Sequence, residues 1–575
     1  MSNSIYGIAL SGLNAAQAGL ATTSNNISNS NTVGYTRQQV VQQARAATSN
    51  GDGILVGQGV DVQQVTRMYS DYLNSQLQQA SSDSAFYDAK STMIGKIDAS
   101  IGDSSSGLSS ALSDFFSASQ AVSATPGDLS ARQNFLSTAD ALAARFNSLN
   151  NVMDGIRSSV NQSVNDSVTK INDSVTQLAT LNKQIVAAKS ASTTGSPPND
   201  LMDQRDKLIS DLAGQVQVTR VNLSDGSVNL FLSNGQPLVV KETPFKLTAQ
   251  VDPSDPQNLL VGSLSTINGQ QRLIAYDSNT LGTGALSGLL QFRDRELAQY
   301  QNSLGILAAQ VGNQVNTVQA AGVDLNNAAG QPIFSFAGST NGLSNIAKVV
   351  PNQYNSTSNP TTASITQVDF SKATGADYEV RIIGGAPQYR EAGTTQAFQP
   401  VPVVAGSYQI QDAKGAAILS FNLSNAAPTD GDSFVLMPSR DGAANIQLSL
   451  KDPSAVAASS TTNPSVGNNE NMLAMNNLQT QKVVNQTNGA SGTSISDAFN
   501  QLVSKVGNKV REIKVAGEAK NAVLGQITQQ TDGLSGVNMD EEAANLIKYQ
   551  QAYQASSKVI SLSKDLFNQI LSIFN

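Results

Sequence analysis

Three carboxylates recur at every third position in PPNDLMDQRDKLISDLA (residues 197–213): Asp200, Asp203 and Asp206. Acids so spaced share a helix face, where their oxygens could meet a divalent cation. Magnesium and calcium need a shaped cage of about six oxygens, and nothing around the three supplies the rest. Local helix physics explains the stretch more simply. Pro197-Pro198 end a loop and Asn199 or Asp200 caps a helix. Leu201, Leu208 and Leu212 then face a core, and Asp203 with Lys207 makes an ordinary i,i+4 pair. A second candidate, VDLNNAAGQPIF (323–334), sets Asp324 and Asn326 two apart, as a calcium loop begins. It lacks the glycine at the sixth position and the glutamate at the twelfth, and reads as a turn leading from a helix into β-structure, with local Asx bonding. GTGALSG (282–288) lacks the lysine of a phosphate-binding loop.

Composition narrows the chemistry further. The 575 residues include no His, no Cys and no Trp. Catalytic triads, thiol nucleophiles, HExxH zinc sites and disulfides are therefore excluded. Only a carboxylate enzyme remains conceivable, and no pair of acids is set up for it. No catalytic, cofactor-binding or metal-ligating residue is assigned. Charged residues are 14% and formal net charge is −8. With no dense Lys/Arg run, the basic footprint of a nucleic-acid partner is missing. The N-terminus MSNSIYGIALSGLNAAQAGL carries no basic residue before Arg37, so it lacks the charged start of a secretory signal. No apolar run approaches the ~20 residues of a membrane span, and no membrane insertion is expected.

The chain is too long for one core, so three or more domains or layers are expected. Its first element is a helix over 4–27, ~36 Å long. Tyr6, Leu13, Leu20 and Ile27 recur every seven residues, with small Ala9, Ala16 and Thr23 three positions later. The last segment mirrors it. Met539, Leu546, Tyr553, Ile560, Phe567 and Phe574 also recur every seven, on a helix over 538–574 with Asp540, Glu541 and Glu542 in its first turn. Neither helix can bury its stripe alone, and isolated helices this polar are marginal in water. Between the ends, Phe135, Ala139, Leu142, Phe146, Leu149, Met153, Ile156 and Val160 step by four and three. The pattern continues through Val164 and Val168 to Leu178, predicting one helix of ~55 residues. Further helices are expected around 286–311 and 495–513, with a weaker one at 65–101. Period-two patterns with the turns SDGS and SNGQ predict hairpins between 215 and 250. Strands such as YEVRII, ILSFNL and DSFVLM predict an inserted β-region at 330–450, and 453–470 reads as a linker. The fold class expected is mainly α with inserted β: an elongated multi-domain rod of long coiled-coil-like helices from both chain ends, plus an outward β-rich domain.

SNNISNSNTVGYTR (24–37) ends the first helix. Asparagine suits left-handed helix ends and caps nearby backbone. Gly34 permits positive φ, and Tyr35 gives a rigid anchor with a polar tip. The stretch reads as a helix stop followed by a pinned loop.

NNISNSNTVGYTRQ (25–38) resembles the N-terminal signature of the bacterial flagellar rod, hook and hook-associated proteins. GVNMDEEAANLIKYQQAYQASSKVISLSKDLFNQIL (536–571) resembles their C-terminal signature. NDLMDQRDKLISDL and VDLNNAAGQPIF are similar to internal features of the hook-associated protein 1 family, whose length also agrees. The resemblance covers the ends and several internal blocks; the 340–460 region matches poorly. Val33 stands where many relatives carry proline before the glycine, so the entry to Gly34 is less stiff here.

That resemblance implies a structural protein without catalysis or cofactor, at the junction between hook and filament outside the cell. It implies export, unfolded, by the flagellar type III system. Implied partners are hook protein subunits, hook-associated protein 3, further copies in a ring or helical layer, and a dedicated export chaperone on the C-terminal helix. The expected division is 1–62 paired with 530–575 as an inner axial layer; 63–325 with 471–529 as a long-helix bundle including a β-hairpin subdomain at about 214–280; and 326–470 as the outer β-rich domain and linker. The expected assembly interface comprises Tyr6, Leu13, Leu20, Ile27, Asn25, Asn26, Gly34, Tyr35, Met539, Leu546, Tyr553, Ile560, Phe567 and Phe574. Two other readings stand beside it: a secreted binding module with an adhesin-like β-domain on a coiled-coil stalk, and a glycosidase-like carboxylate enzyme.

Overall fold

The computed structural model describes residues 2–574 except 51–53, 102–106, 193–195, 254, 268–269, 279, 337–345, 353, 358, 395, 426 and 485–491. Its axis is α4, Leu129–Ala191, a single helix of 63 residues, or ~95 Å. Asp128 starts it by accepting a bond from Ser130 N (2.8 Å). The four-and-three stripe read from the sequence is its buried face: Phe135, Phe146, Val160, Val164, Ile171, Val175 and Leu178 are all inaccessible to solvent.

Several of the other helices pack against this one, and others pair away from it. α1 spans Ser2–Ser28, α2 Asp71–Ile101, α3 Leu108–Ala124 and α5 Asn199–Gln215. α6 covers Ala285–Gln291, and a π-helical turn, Phe292–Leu297, joins it to α7, Ala298–Ala320. α8 is the single turn Gly442–Asn445 and α9 covers Glu470–Asn477. α10 spans Ile495–Ser535 and α11 Met539–Phe574. The sequence pattern gives one helix through 286–311. The structure inserts a π turn there, and its extra residue brings charged side chains inside: Arg293 donates to Leu259 O (2.6 Å) and Glu296 pairs with Lys90 (2.7 Å). The expected helix at 65–101 forms as α2 over 71–101, and only 65–67 belong to a strand. Val60–Arg67 pairs antiparallel with Gln38–Ala44, and α2 begins only at Asp71. α3 is absent from the sequence reading; its serine-rich stretch hides Phe115, which packs on both Phe116 and Phe135.

Two β-regions ride on this bundle. In the first, strands between Val218 and Ala275 form a four-stranded and a three-stranded antiparallel sheet. The SDGS and SNGQ turns have the expected chemistry. Asp225 and Asn234 side chains accept from the backbone two residues on, and Gly226 and Gly235 have φ of +95° and +82°. In the second, a five-stranded sheet contains Lys348–Pro351, Ser433–Met437 and Tyr378–Ile383, while a four-stranded sheet contains Ala363–Val368, Ala417–Leu423 and Ser407–Gln411. Val380, Leu436, Leu419 and Phe421, drawn from both sheets, are buried in one apolar core. α7 holds this outer region through a series of amides: Asn302 donates to Gly375 O (3.0 Å), Gln310 to Phe370 O (2.7 Å) and Asn316 to Phe334 O (2.7 Å).

The 453–470 stretch is not a free linker. Val456, Ala457 and Ala458 are buried. Arg132 donates to Val456 O, and Gln319 donates to Ala455 O (3.0 Å). Small residues that read as flexible are there because the chain threads between two helices.

Candidate assembly interface

The two chain ends form one antiparallel helix pair, and its seam is set by residue size. A Cβ on Gly12 would lie 3.1 Å from Ser556 Oγ, and one on Gly19 only 2.5 Å from the Tyr549 ring. Asn26 donates to Glu542 Oε2 (3.1 Å). Gly12, Gly19 and Asn26 are seven apart in one direction; Ser556, Tyr549 and Glu542 are seven apart in the other. This is a heptad register between antiparallel helices. Ala9, Ala15, Ala16 and Thr23 are buried beside it, as are Glu542 and Ser563.

The large residues of the two stripes lie off this seam. Tyr6 is 47% exposed, Met539 50%, Tyr553 38% and Phe567 48%. Leu13, Leu20, Ile27, Leu546 and Ile560 are half-buried. Phe574 closes α11, its side chain lying outside the described residues. Ile5, Leu10, Ile547, Leu562 and Leu566, which the seven-residue reading left out, are exposed as well. Hydrophobic period finds the large stripe; the buried seam is marked by glycine, serine and one acid, which a search for apolar repeats passes over.

The asparagine stretch ties the base of the pair. Asn26 is 1% exposed. Its amide donates to Gln38 O (2.9 Å) and Glu542, while its oxygen accepts from Tyr35 OH (2.8 Å) and Gln38 N (3.0 Å). Asn25 donates to Tyr35 OH (3.3 Å), and Asn29 donates back to Asn25 O (3.0 Å). Arg37 binds Glu542 (2.8 Å) and Glu541 (2.6 Å), and its N–H donates to Ser535 O (2.8 Å). Buried polar groups are costly unless bonded, and Asn26 and Glu542 satisfy each other across the two ends. Gly34 has φ +86° and lies against Lys207 of α5, where a Cβ would come within 3.1 Å.

The aspartate trio proves to be the other half of this base. Thr36 N donates to Asp203 Oδ2 (3.0 Å) and Gln38 to Asp200 (3.2 Å). Arg67 pairs with Asp203 (2.7 Å) and Asp206 (2.9 Å), and Arg205 and Arg220 each reach Asp206 (3.0 Å). Guanidinium groups thus occupy the places a cation would take. Among the described residues, no group of three or more His, Cys, Asp or Glu could hold a metal ion. Two details differ from the sequence reading. Lys207 pairs with Asp211 (2.6 Å), since Arg67 has taken Asp203. Asn199 does not cap α5; its amide donates to Val65 O (2.9 Å) instead. Burial raises the Asp203 carboxyl above its ordinary value despite Arg67 and Thr36. The Tyr35 hydroxyl is raised by burial and then by Asp200, Asp203 and Glu542. Asp324 makes the expected Asx turn, its Oδ1 accepting from Asn326 N (2.7 Å) and Ala328 N (2.8 Å).

Comparison with known proteins gives the family of the chain. Residues 94–334 match the family model of the flagellar hook-associated protein FlgK helical domain. Residues 8–36 match that of the flagella basal body rod protein, and 529–573 that of the flagellar basal body rod FlgEFG protein C-terminal region. The chain is 32% identical over 572 residues to flagellar hook-associated protein 1 of Escherichia coli K12, covering 99% of this chain and 100% of that one. The Bacillus subtilis protein of the same name is 26% identical over 585 residues, covering 97% and 96%. Among solved structures, the flagellar hook junction protein FlgK of Burkholderia pseudomallei superposes with a TM-score of 0.68 at 25% identity, covering 79% of this chain and 99% of that one. The adhesin-like reading finds no support among these relatives.

Proposed function

The chain belongs to the flagellar hook-associated protein 1 family, and from that premise we propose that its paired ends are the surface by which it assembles between hook and filament. It is a structural protein of the bacterial flagellum, serving the hook–filament junction. The observation that carries the assembly mechanism is the arrangement of α1 and α11. They bury a thin seam of glycine, serine, Asn26 and Glu542 between them, and leave Tyr6, Met539, Tyr553 and Phe567 on open faces. Apolar rows of this length are stabilised when neighbours cover them. The outward-facing half of the pair, with Leu13, Leu20, Ile27, Leu546 and Ile560, receives the terminal helices of adjacent subunits.

In this reading residues 1–62 and 530–575 form the inner axial layer, 63–325 with 471–529 the bundle that spaces it, and 326–470 the outer region. Asn25, Asn26, Gly34 and Tyr35 hold the angle at which the pair leaves the bundle. The neighbours are hook protein subunits on one side, hook-associated protein 3 on the other, and further copies around the ring. Before assembly the chain travels unfolded through the flagellar export system, with a chaperone on the open face of α11. Among the described residues, no helix is long and apolar enough to cross a membrane. No catalysis is part of this role.

The test is a Leu562→Asp, Phe567→Asp chain. Both side chains are exposed (59% and 48%), so the monomer should melt as the parent does while cells lose attached filaments and swimming. Normal filaments and motility in that strain would overturn the reading.

A further inference from the structure

A second charged cluster lies far along the chain from the paired ends, where the bundle meets both β-regions. Arg440, which follows the outer strand Ser433–Met437, donates through Nη1 to Asp255 Oδ2 (2.6 Å) and through Nη2 to Asp377. Asp255 opens a strand of the first β-region, Asp255–Ile267, whereas Asp377 directly precedes the outer strand Tyr378–Ile383. Asp377 also accepts from Asn302 of α7 (2.9 Å). Asn258 donates to Asp255 Oδ2 (2.9 Å) and accepts from Arg157 of α4 (3.0 Å), whose other nitrogen reaches Gln301. Arg440, Asp255, Asp377 and Arg157 are all buried. One guanidinium therefore bridges the two β-regions inside the protein.

The surroundings give this bridge a mechanical meaning. Next to it the backbones of α7 and the 439–442 turn touch: a Cβ on Gly305 would sit 1.8 Å from Ser439 O, and one on Gly442 would sit 2.6 Å from Gly305 O. On the other side lies a cleft of ≈ 450 Å³. Asp252 and Asp277 of the first β-region line it, as do Arg381 and Arg390 of the outer region. Among the described residues, the sheets of the two regions share no strand pairing. Besides Arg440, the Arg272 guanidinium reaches across, 4.9 Å above the Tyr354 ring.

We propose that Arg440 is an ionic lock that fixes the angle of the outer β-region on the helical rod, with the Gly305–Gly442 backbone contact as fulcrum and the adjacent cleft as the space for movement. Buried ion pairs add little net stability, because desolvation offsets their attraction, but they admit few geometries. The cluster is shielded from solvent, so salt screens it weakly. A rigid seat follows while both partners are present, and a loose one when either is neutralised. Asp255 lies outside the outer region. Replacing it cuts the bridge and leaves Arg440, Asp377 and Asn302 bonded to one another.

The experiment uses the full chain, which has no cysteine of its own. Spin labels on cysteines introduced at exposed Asp173 of α4 and Lys414 of the outer region report the distance between rod and outer region. The parent should give one narrow distance distribution, unchanged between low and high salt. Asp255→Asn should shift and broaden it while the far-ultraviolet circular dichroism stays unchanged. Arg440→Met should do the same, and Asp255→Glu should restore a narrow distribution. An unshifted, narrow distribution in Asp255→Asn overturns the lock, even if that variant melts earlier, because lost stability alone would then be the bridge's role. Should Arg440→Met lose its outer sheets, the Asp255→Asn measurement still decides.

Discussion

α4 and α11 are both long amphipathic helices, yet they bury opposite things. α4 buries Phe135, Phe146, Val160, Ile171 and Leu178 completely. α11 buries Glu542 and Ser563, leaving Met539, Ile547, Leu562 and Phe567 in solvent. The same periodicity thus serves a dry core in one place and an open surface in the other. Whether the partner lies within the chain makes the difference. α4 has α3, α5 and both β-regions folded onto it, whereas α11 has α1 and, at its first turn, Arg37, and two cylinders touch along one line. A heptad pattern therefore reports that a helix needs partners, without saying whether the same chain supplies them.

The contrast can be broken most forcefully at its dry end. Phe146→Ala should destabilise the bundle by about 3–5 kcal/mol, through lost burial and the cavity left behind, read from urea unfolding. If it merely loosened the chain ends, α4 would not be the core. At the wet end, Gly19→Ala pushes a methyl into the Tyr549 ring. Overpacking of this kind costs about 1–3 kcal/mol, offset by about 1 kcal/mol of helix propensity. The terminal pair should part, exposing α1 and α11 to protease while the bundle unfolds at the parent urea concentration.

A pH test separates the base of the pair from the rest. The Tyr35 hydroxyl has a raised pKa, from burial and from Asp200, Asp203 and Glu542. An acid group raised in the fold contributes stability below its unfolded value of about 10, which is lost as pH climbs towards the folded value. Protease release of the chain ends should therefore rise above pH 10, and Tyr35→Phe should flatten that dependence. The smallest effect is expected from Phe567→Ser, within about 0.5 kcal/mol for the monomer, as for other exposed positions. A larger loss would mean that α11 has a second partner inside the chain, beyond α1.

Much of the architecture was legible in the sequence. The α4 stripe was readable because apolar side chains at helical spacing mark a buried face whatever covers it. The hairpin turns were readable because Gly226 and Gly235 supply positive φ that other residues resist. Other features were hidden. The strand pair Gln38–Ala44 with Val60–Arg67 is glutamine-rich and half solvated, so it has little alternation to read. The buried 456–458 segment is three small residues, whose burial depends on Arg132 and Gln319 arriving from elsewhere. Asp200, Asp203 and Asp206 were visible as a cluster, but their partners come from residues 36, 67 and 220.

By itself, then, the sequence determined the long helices, including the two that carry matching stripes at the chain ends, and that thiol and imidazole chemistry are absent. It did so because backbone conformation and hydrophobic period are local properties, carried by neighbours within a few turns. The tertiary structure alone decided that the ends meet through Gly12, Gly19 and Asn26 rather than through the large residues of their seven-residue stripes. It also decided that arginines answer the aspartates, and that Arg440 bridges two β-regions 122 positions apart between Asp255 and Asp377. Those contacts join residues remote in the chain, and their energies depend on distance, burial and the identity of a partner that no local pattern encodes.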